Sequence, residues 1–400
     1  MNLSRTKKAF FVIILLNFAF LSLAAVNLSI SYKEALLFFQ NSTIVGFLAN
    51  LSCYLFGNNN FALRLPFIVI STLNLILMFY ISQDYFRYEK DRIYNLLIFA
   101  CLPGVVASSI LLNEASLIIF LTLLYIAYFK KFAQHNYVLL FAFLFVDNSF
   151  LILFLALFLY AFIKKEYMLM FFSCLLFVLS IYIFGFEVGG RPRGYFLETI
   201  GIFATIFSPL LFLYFFYTLY SVPLRNEKNL LWYIAFVALV VAIIFSFRQK
   251  IYVQDFAPFV VIATPFMMKH FLSSMRVRLP EFRARYYIGS IIVVGVLILN
   301  TLSIGFSQIF YIFLKNPHNH FAIDYSFASQ IADSLKSKSI NSIKVADDER
   351  LQLRLKFYNI AYGEEYVLYT KIDDISNATI KFNLLGKNIY GVNVTKLNTK

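Results

Sequence analysis

The stretch "YVLLFAFLFVDNSFLILFLALFLYAFI", residues 137–163, is apolar except for Asp147, Asn148 and Ser149 near its middle. It can be read as one membrane span carrying Asp147 in the hydrocarbon. It can equally be read as two short helices that turn at Asp147 and Asn148. The choice reverses the side of the membrane on which every later loop falls. Charge decides it, because short loops rich in Lys and Arg stay on the cytoplasmic side. With a hairpin, that side holds Arg5, Lys7 and Lys8; Arg87, Lys90 and Arg92; Lys130 and Lys131; Lys164 and Lys165; Arg225 and Lys228; and Lys269, Arg276, Arg278, Arg283 and Arg285. The other side keeps only Lys33, Arg64, Arg191, Arg193, Arg248 and Lys250 between spans. With a single span, "MRVRLPEFRAR" would have to lie outside, against the rule. The hairpin is the better reading.

Composition supports the membrane assignment that this choice presupposes. The chain has 400 residues, is 60% hydrophobic and contains 49 Phe and 27 Tyr, far more apolar surface than a soluble domain of this size needs. The net charge of +14 collects in short loops, so it speaks of topology before nucleic acid. Cys53, Cys101 and Cys174 have no spacing that suggests a disulfide framework or a metal site. The expected class is an all-α polytopic membrane protein with about eleven segments: 9–30, 62–82, 93–111, 115–129, 137–146, 149–163, 167–186, 200–222, 229–247, 256–270 and 287–313. The basic head and long apolar body of "MNLSRTKKAFFVIILLNFAF" predict an uncleaved signal anchor with a cytoplasmic N-terminus.

Composition shifts after residue 314. Helical periodicity in "SFASQIADSLKSKSI" and "ERLQLRLKFYNI", with alternation in "SIKVADD", "EYVLYT", "ATIKFN" and "YGVNVTKL", predicts a small α/β domain over 315–400. The odd span count places it outside the cytoplasm. Residues 1–314 form the transmembrane domain, with an amphipathic first outer loop, 31–61, lying along the membrane surface.

On this topology the unusual polar groups share the non-cytoplasmic face. The first outer loop carries Lys33 and Glu34, with Arg64 and Pro66 opening the next span. Glu114 lies in "LLNEASL" and Asp147 in "VDNS". Arg191 and Arg193 belong to "FEVGGRPRGYFLET". "FSFRQKIYVQDFAPF" supplies Arg248, Lys250, Tyr252 and Asp255. A carboxylate at membrane depth can deprotonate an acceptor hydroxyl or help to hold a divalent cation. Arg and Lys can hold a phosphate leaving group and stabilise its developing charge. Together these point to group transfer from a lipid phosphate at the outer surface. Plainer roles exist for each: Glu34 paired with Lys33, Glu114 as a helix-end charge, Asp147 as a helix cap, Arg64 snorkelling, and the remaining basic groups on lipid heads.

"LFGNNNFALRLPFIVISTLNLILMFYISQDYF" resembles a segment of the GT-C glycosyltransferases, the branch with bacterial lipid A aminoarabinose transferases and protein O-mannosyltransferases (glycosyltransferase family 39-like). Gly57, Arg64, Leu65 and Pro66 fall in that family's spacing just before a span. "FSFRQKIYVQDFAPFVVIATPFM" resembles its late segment, through Arg248, Lys250, Tyr252 and Pro258. The resemblance implies an inner-membrane, inverting transferase that takes sugar from a polyprenyl-phosphate donor. The acceptor would be a lipid, glycan or protein in the periplasm. The family usually carries an Asp-Glu pair in the first outer loop, whereas this chain has Lys33-Glu34. Only Glu34 is carried over, as base or metal-supporting acid, with Glu114 second. Arg64, Arg191, Arg193, Arg248, Lys250, Tyr252 and Asp255 would bind substrate. Two other readings are a flippase for a lipid-linked glycan and a catalytically degenerate relative; a flippase predicts inverted repeats, and the sequence shows none.

Overall fold

The computed structural model describes residues 3–41, 43–185, 194–224, 228–312, 321–370, 379–384 and 387–396. Its first helices are α1 (Leu3–Asn27), α2 (Tyr32–Gln40), α3 (Ile44–Phe56), α4 (Asn60–Ile81), α5 (Glu89–Ala100) and α6 (Pro103–Ile110). They continue with α7 (Ala115–Phe132), α8 (Tyr137–Phe143), α9 (Phe150–Lys164), α10 (Tyr167–Phe184), α11 (Phe196–Phe207) and α12 (Pro209–Leu224). The last are α13 (Leu230–Ser246), α14 (Val253–Val261), α15 (Thr264–Val277), α16 (Pro280–Gly305), α17 (Ala328–Ser337) and α18 (Glu349–Phe357).

The turn expected at Asp147 is present. Helix α8 has seven residues; at 1.5 Å per residue it rises about 10 Å and cannot cross a ~30 Å hydrocarbon core alone. His135, just after α7, bonds the Tyr125 hydroxyl through Nδ1 at 2.6 Å and approaches Glu166 Oε2 through Nε2 at 3.0 Å. That bond ties the C-terminal end of α7 to the C-terminal end of α9. The chain must therefore run out along α8 and return along α9, which is the hairpin. Asp147 Oδ1 accepts the Ser149 N–H at 2.8 Å, so the carboxylate shapes the turn rather than capping α9 directly.

Cα packing divides the chain into two compact units. The first comprises Met1–Ala19, Val69–Ser109 and Glu114–Thr301; the second comprises Phe20–Ile68, Ile110–Asn113 and Leu302–Lys400. The first unit is helical, and α9 packs on both α10 and α13 around a continuous apolar core. Among the described residues five helices are long and apolar enough to cross a membrane, or up to nine when each bent helix pair counts as one span. Three segments expected as single spans are bent pairs: α5–α6 by 57°, α11–α12 by 103° and α14–α15 by 45°. Each second helix has proline at its first or second position (Pro103, Pro209, Pro265). Proline lacks an N–H, suits the first turn of a helix and disfavours the α region just before it, so it marks where each second helix sets off in a new direction.

The second unit joins α2 and α3 to α17, α18 and a four-stranded sheet of β1 (Lys344–Val345), β2 (Tyr366–Tyr369), β3 (Ile380–Leu384) and β4 (Lys387–Lys396). The strand order is β1-β2-β4-β3, with β1 parallel to β2 across α18 and the other pairs antiparallel. All six C-terminal elements read from the sequence are present. The boundary drawn at 314 does not coincide with this unit, because the first outer loop packs with the C-terminal segment. Helix α2 buries Ala35 and Phe38, and the Phe38 ring meets Phe357 of α18 edge-on at 5.1 Å. The chain is an α-helical polytopic membrane protein with a small C-terminal α/β segment.

Candidate functional site

Two groups of charge stand out, one in each unit: a buried ion pair in the second and three half-buried carboxylates in the first. In the second unit, Ser31 and Glu34 form a capping box at the start of α2. Ser31 Oγ accepts the Glu34 N–H at 3.3 Å, and Glu34 Oε2 accepts the Ser31 N–H at 2.8 Å. The same carboxylate accepts the Leu112 N–H on Oε1 at 2.9 Å and is bridged by Arg64 Nη2 at 3.0 and 3.3 Å. Arg64 is fully buried, and its remaining donors are spent on backbone. Nε donates to Ile110 O at 2.6 Å, Nη1 to Leu28 O at 2.7 Å, and Nη2 to Ser29 O at 3.1 Å. A base needs a lone pair facing the acceptor hydroxyl, and a phosphate clamp needs an open guanidinium edge. Glu34, 2% exposed, and Arg64 have neither, so this geometry does not match the expected roles of base and substrate ligand.

The turn into α4 follows the same logic. Pro66 inside α4 leaves the Ala62 carbonyl without its helical donor. Ser52 Oγ of α3 supplies that donor at 2.6 Å. A second buried arginine, Arg354 of α18, donates from Nε to Ile30 O and from Nη2 to Ser326 O, both at 2.8 Å.

In the first unit the charges are alike. Glu114 sits at the N-cap position of α7 and makes no side-chain cap bond. Burial pushes its carboxyl up from the ordinary range; a bond from its own backbone N–H pulls it down, and the charge of Asp147 adds to the rise. Asp147 and Glu114 are both within Coulombic reach of Asp255 in the first turn of α14. Among the described residues none of these three carboxylates makes an ion pair, and no group of three metal-ligating side chains is assembled. Asp255 lines a cavity of about 410 Å³ that also takes in Asn148, Gln249, Lys250 and Tyr252, with Phe184 and Phe245 among its apolar walls. The site therefore combines a carboxylate, an ammonium, amides and aromatic surface beside two further acids.

The remaining expected residues fall as follows. Lys250 lies on the cavity wall but is exposed and paired with Glu198 of α11 at 2.7 Å, a bond that raises its pKa. Tyr252 is 74% exposed on the same wall. Arg248 is exposed and does not line that cavity. Arg191 and Arg193 lie outside the described residues. The reading from sequence missed Ser31, Ser52, Glu198 and the His135–Glu166 pair. The S-x-x-E spacing of Ser31 and Glu34 was the available signal for the first; Ser52, Glu198 and the His135–Glu166 contact act across long sequence separations that leave no local pattern.

Comparison with solved structures bears on the whole arrangement. ArnT from Cupriavidus metallidurans bound to undecaprenyl phosphate aligns with a TM-score of 0.58, covering 98% of this chain and 98% of that one at 10% identity. The chain has the fold of ArnT. The apo state of the same protein aligns over 96% of this chain and 97% of that one, with a TM-score of 0.52 and 10% identity. The ArnT fold thus extends from the first helix through the C-terminal α/β segment. No protein-family model matches the sequence, and no curated protein is significantly similar to it.

Proposed function

We propose that this protein is a membrane glycosyltransferase of the GT-C type, taking a sugar from a polyprenyl-phosphate donor on the side of the membrane opposite its basic loops. The observation that carries the reading is the carboxylate cluster Glu114, Asp147 and Asp255 beside an amphipathic cavity, in a chain with the ArnT fold along its length. One ArnT structure holds undecaprenyl phosphate, the kind of carrier the reading requires. Positive-inside counting puts the N-terminus in the cytoplasm of a bacterial cell and the C-terminal α/β segment in the periplasm.

The base belongs to the acidic cluster, with Glu114 and Asp255 as the members to test, and not to Glu34. A carboxylate with raised proton affinity takes the proton of an acceptor hydroxyl as that oxygen attacks the anomeric carbon from the face opposite the phosphate. The bond from the anomeric carbon to the phosphate oxygen breaks, leaving polyprenyl phosphate and an inverted glycoside. Lys250, on the cavity wall, stabilises the charge that develops on the leaving phosphate. Glu34 and Arg64 act as a scaffold that fixes the first outer loop.

The test is turnover of purified protein with a panel of polyprenyl-phosphate sugars and candidate lipid, glycan and peptide acceptors, read by mass spectrometry of the released carrier. The expected result is consumption of one donor, reduced on the order of 10²-fold or more in Glu114→Gln or Asp255→Asn. Full turnover in both variants would remove the base from this cluster, and no donor consumed by the folded wild type would remove the transferase reading.

A further inference from the structure

A second cavity, lined by none of the carboxylate-cluster residues, has the build of a lipid site. It is about 440 Å³ in volume and is walled by one face each of α5, α15 and α16. The three faces share a polarity gradient. Helix α5 presents Asp91 and, seven residues on, Ile98; α15 runs from Met268 to Arg276; α16 runs from Arg283 to Val294. The charged residue of each pair lies at the helix end next to a basic loop, so all three charged ends meet at one mouth. The apolar ends lie deeper. From Arg283 to Val294 is about 16 Å of helix, close to half of a ~30 Å hydrocarbon core.

The mouth is organised to receive an anion. Arg276 Nη2 is held by both oxygens of Asp91 at 2.5 and 2.6 Å, and its guanidinium lies over the Tyr88 ring at 4.5 Å. Asp91 is buried, while the Arg276 side chain is 46% exposed. Among the described residues the Nε–H and Nη1–H₂ groups of Arg276 have no hydrogen-bond partner. Arg283 donates from Nε to Arg278 O at 2.8 Å and from Nη2 to Arg276 O at 3.2 Å, which fixes it beside Arg276 across the α15–α16 turn. Two guanidinium groups against one carboxylate leave the mouth a net positive charge.

A neighbouring cavity of about 390 Å³ shares Ile98, Met268, Phe271, Ser290 and Val294 with the first. Its own walls are almost wholly apolar, and Arg285 stands among its lining. Two adjoining apolar channels beneath one cationic mouth match a ligand with one phosphate and two chains. A polyprenyl phosphate has one chain, and a zwitterionic lipid brings an ammonium group to a mouth that is already positive.

We propose that this is a binding site for one anionic diacyl phospholipid of the leaflet facing the basic loops. Its phosphate rests on Arg276 and Arg283, and its chains occupy the two cavities. The inference rests on the placement of the membrane and is independent of the transferase reading.

The test is native mass spectrometry of the delipidated full-length protein in detergent, titrated with phosphatidylglycerol, phosphatidylcholine or undecaprenyl phosphate. Wild type is expected to take one phosphatidylglycerol about tenfold more tightly than phosphatidylcholine. Arg283→Gln should remove most of that preference, as loss of one charge-assisted phosphate contact implies. Val294→Trp, which fills the wall between the channels while keeping every charge, should weaken phosphatidylglycerol binding by a similar factor. A Lys164→Gln/Lys165→Gln control, with charges removed elsewhere on the same face, should bind as wild type does. Equal binding of the two phospholipids, an equal loss in the control, tighter binding of undecaprenyl phosphate, or unchanged binding in both site variants with wild-type melting would each overturn the proposal.

Discussion

Glu34–Arg64 and Glu114–Asp147–Asp255 are two answers to the same physical problem. A charge removed from water must be paired and hydrogen-bonded, or its pKa must shift. The first group takes the former course: each oxygen of Glu34 has two donors, and Arg64 reaches four backbone carbonyls when Asn60 is included. Glu114 takes the latter: it makes no ion pair among the described residues, burial pushes its carboxyl up, and the charge of Asp147 adds to the rise. Satisfied charge resists change and builds a scaffold, whereas unsatisfied charge is poised to exchange a proton. Sequence alone ranked Glu34 above Glu114 as the base; the function proposed here reverses that order.

The largest effect should come from breaking the satisfied pair. Glu34→Gln leaves Arg64 buried without its counter-ion, a change that costs about 3–5 kcal/mol. The thermal midpoint in detergent should collapse, and activity should be lost with the fold. Removing both partners with Glu34→Gln/Arg64→Met should not recover the loss, because the Ile110, Leu28, Ser29 and Asn60 carbonyls then lose the donors that Arg64 supplies. Equal melting of Glu34→Gln and wild type would contradict the scaffold assignment.

Relieving the unsatisfied group should act in the opposite sense on stability. Folded Glu114 holds its proton to higher pH than the unfolded chain does. Between the ordinary glutamate value and the raised one the native state binds more protons, so stability falls as pH rises through that window. Glu114→Gln should flatten this slope and leave the protein as stable as wild type or more so at neutral pH. Melting curves across pH 4 to 8 read this directly. An unchanged slope would sink it.

Smaller still is Ser52→Ala. It strips the Ala62 carbonyl, freed by Pro66, of its donor and should cost about 1–3 kcal/mol. Lys250→Gln should have the least effect on folding, since the Lys250–Glu198 pair is exposed to water; its thermal midpoint should match wild type while turnover falls.

How much of this was legible in the sequence differs between the regions. The membrane class, the hairpin at Asp147 and the six C-terminal elements follow from local signals: hydropathy, loop charge and periodicity. The bent helices at Pro103, Pro209 and Pro265 were legible in principle, because proline breaks a helix by local sterics, but the apolar runs around them read as continuous spans. The Glu34 cage was not legible beyond its capping box. Arg64, thirty residues on, and Leu112, seventy-eight residues on, reach it only through the fold. Burial, which separates a structural carboxylate from a reactive one, is a tertiary property.

The central claim is that the reactive carboxylate belongs to the Glu114 cluster and Glu34 to the scaffold. The most direct measurement pairs turnover with thermal unfolding for Glu114→Gln, using the polyprenyl-phosphate sugar that the wild type consumes. The account predicts a protein that melts at or above the wild-type temperature while turnover falls on the order of 10²-fold or more. Folded Glu114→Gln and Asp255→Asn proteins that both keep full turnover would contradict it.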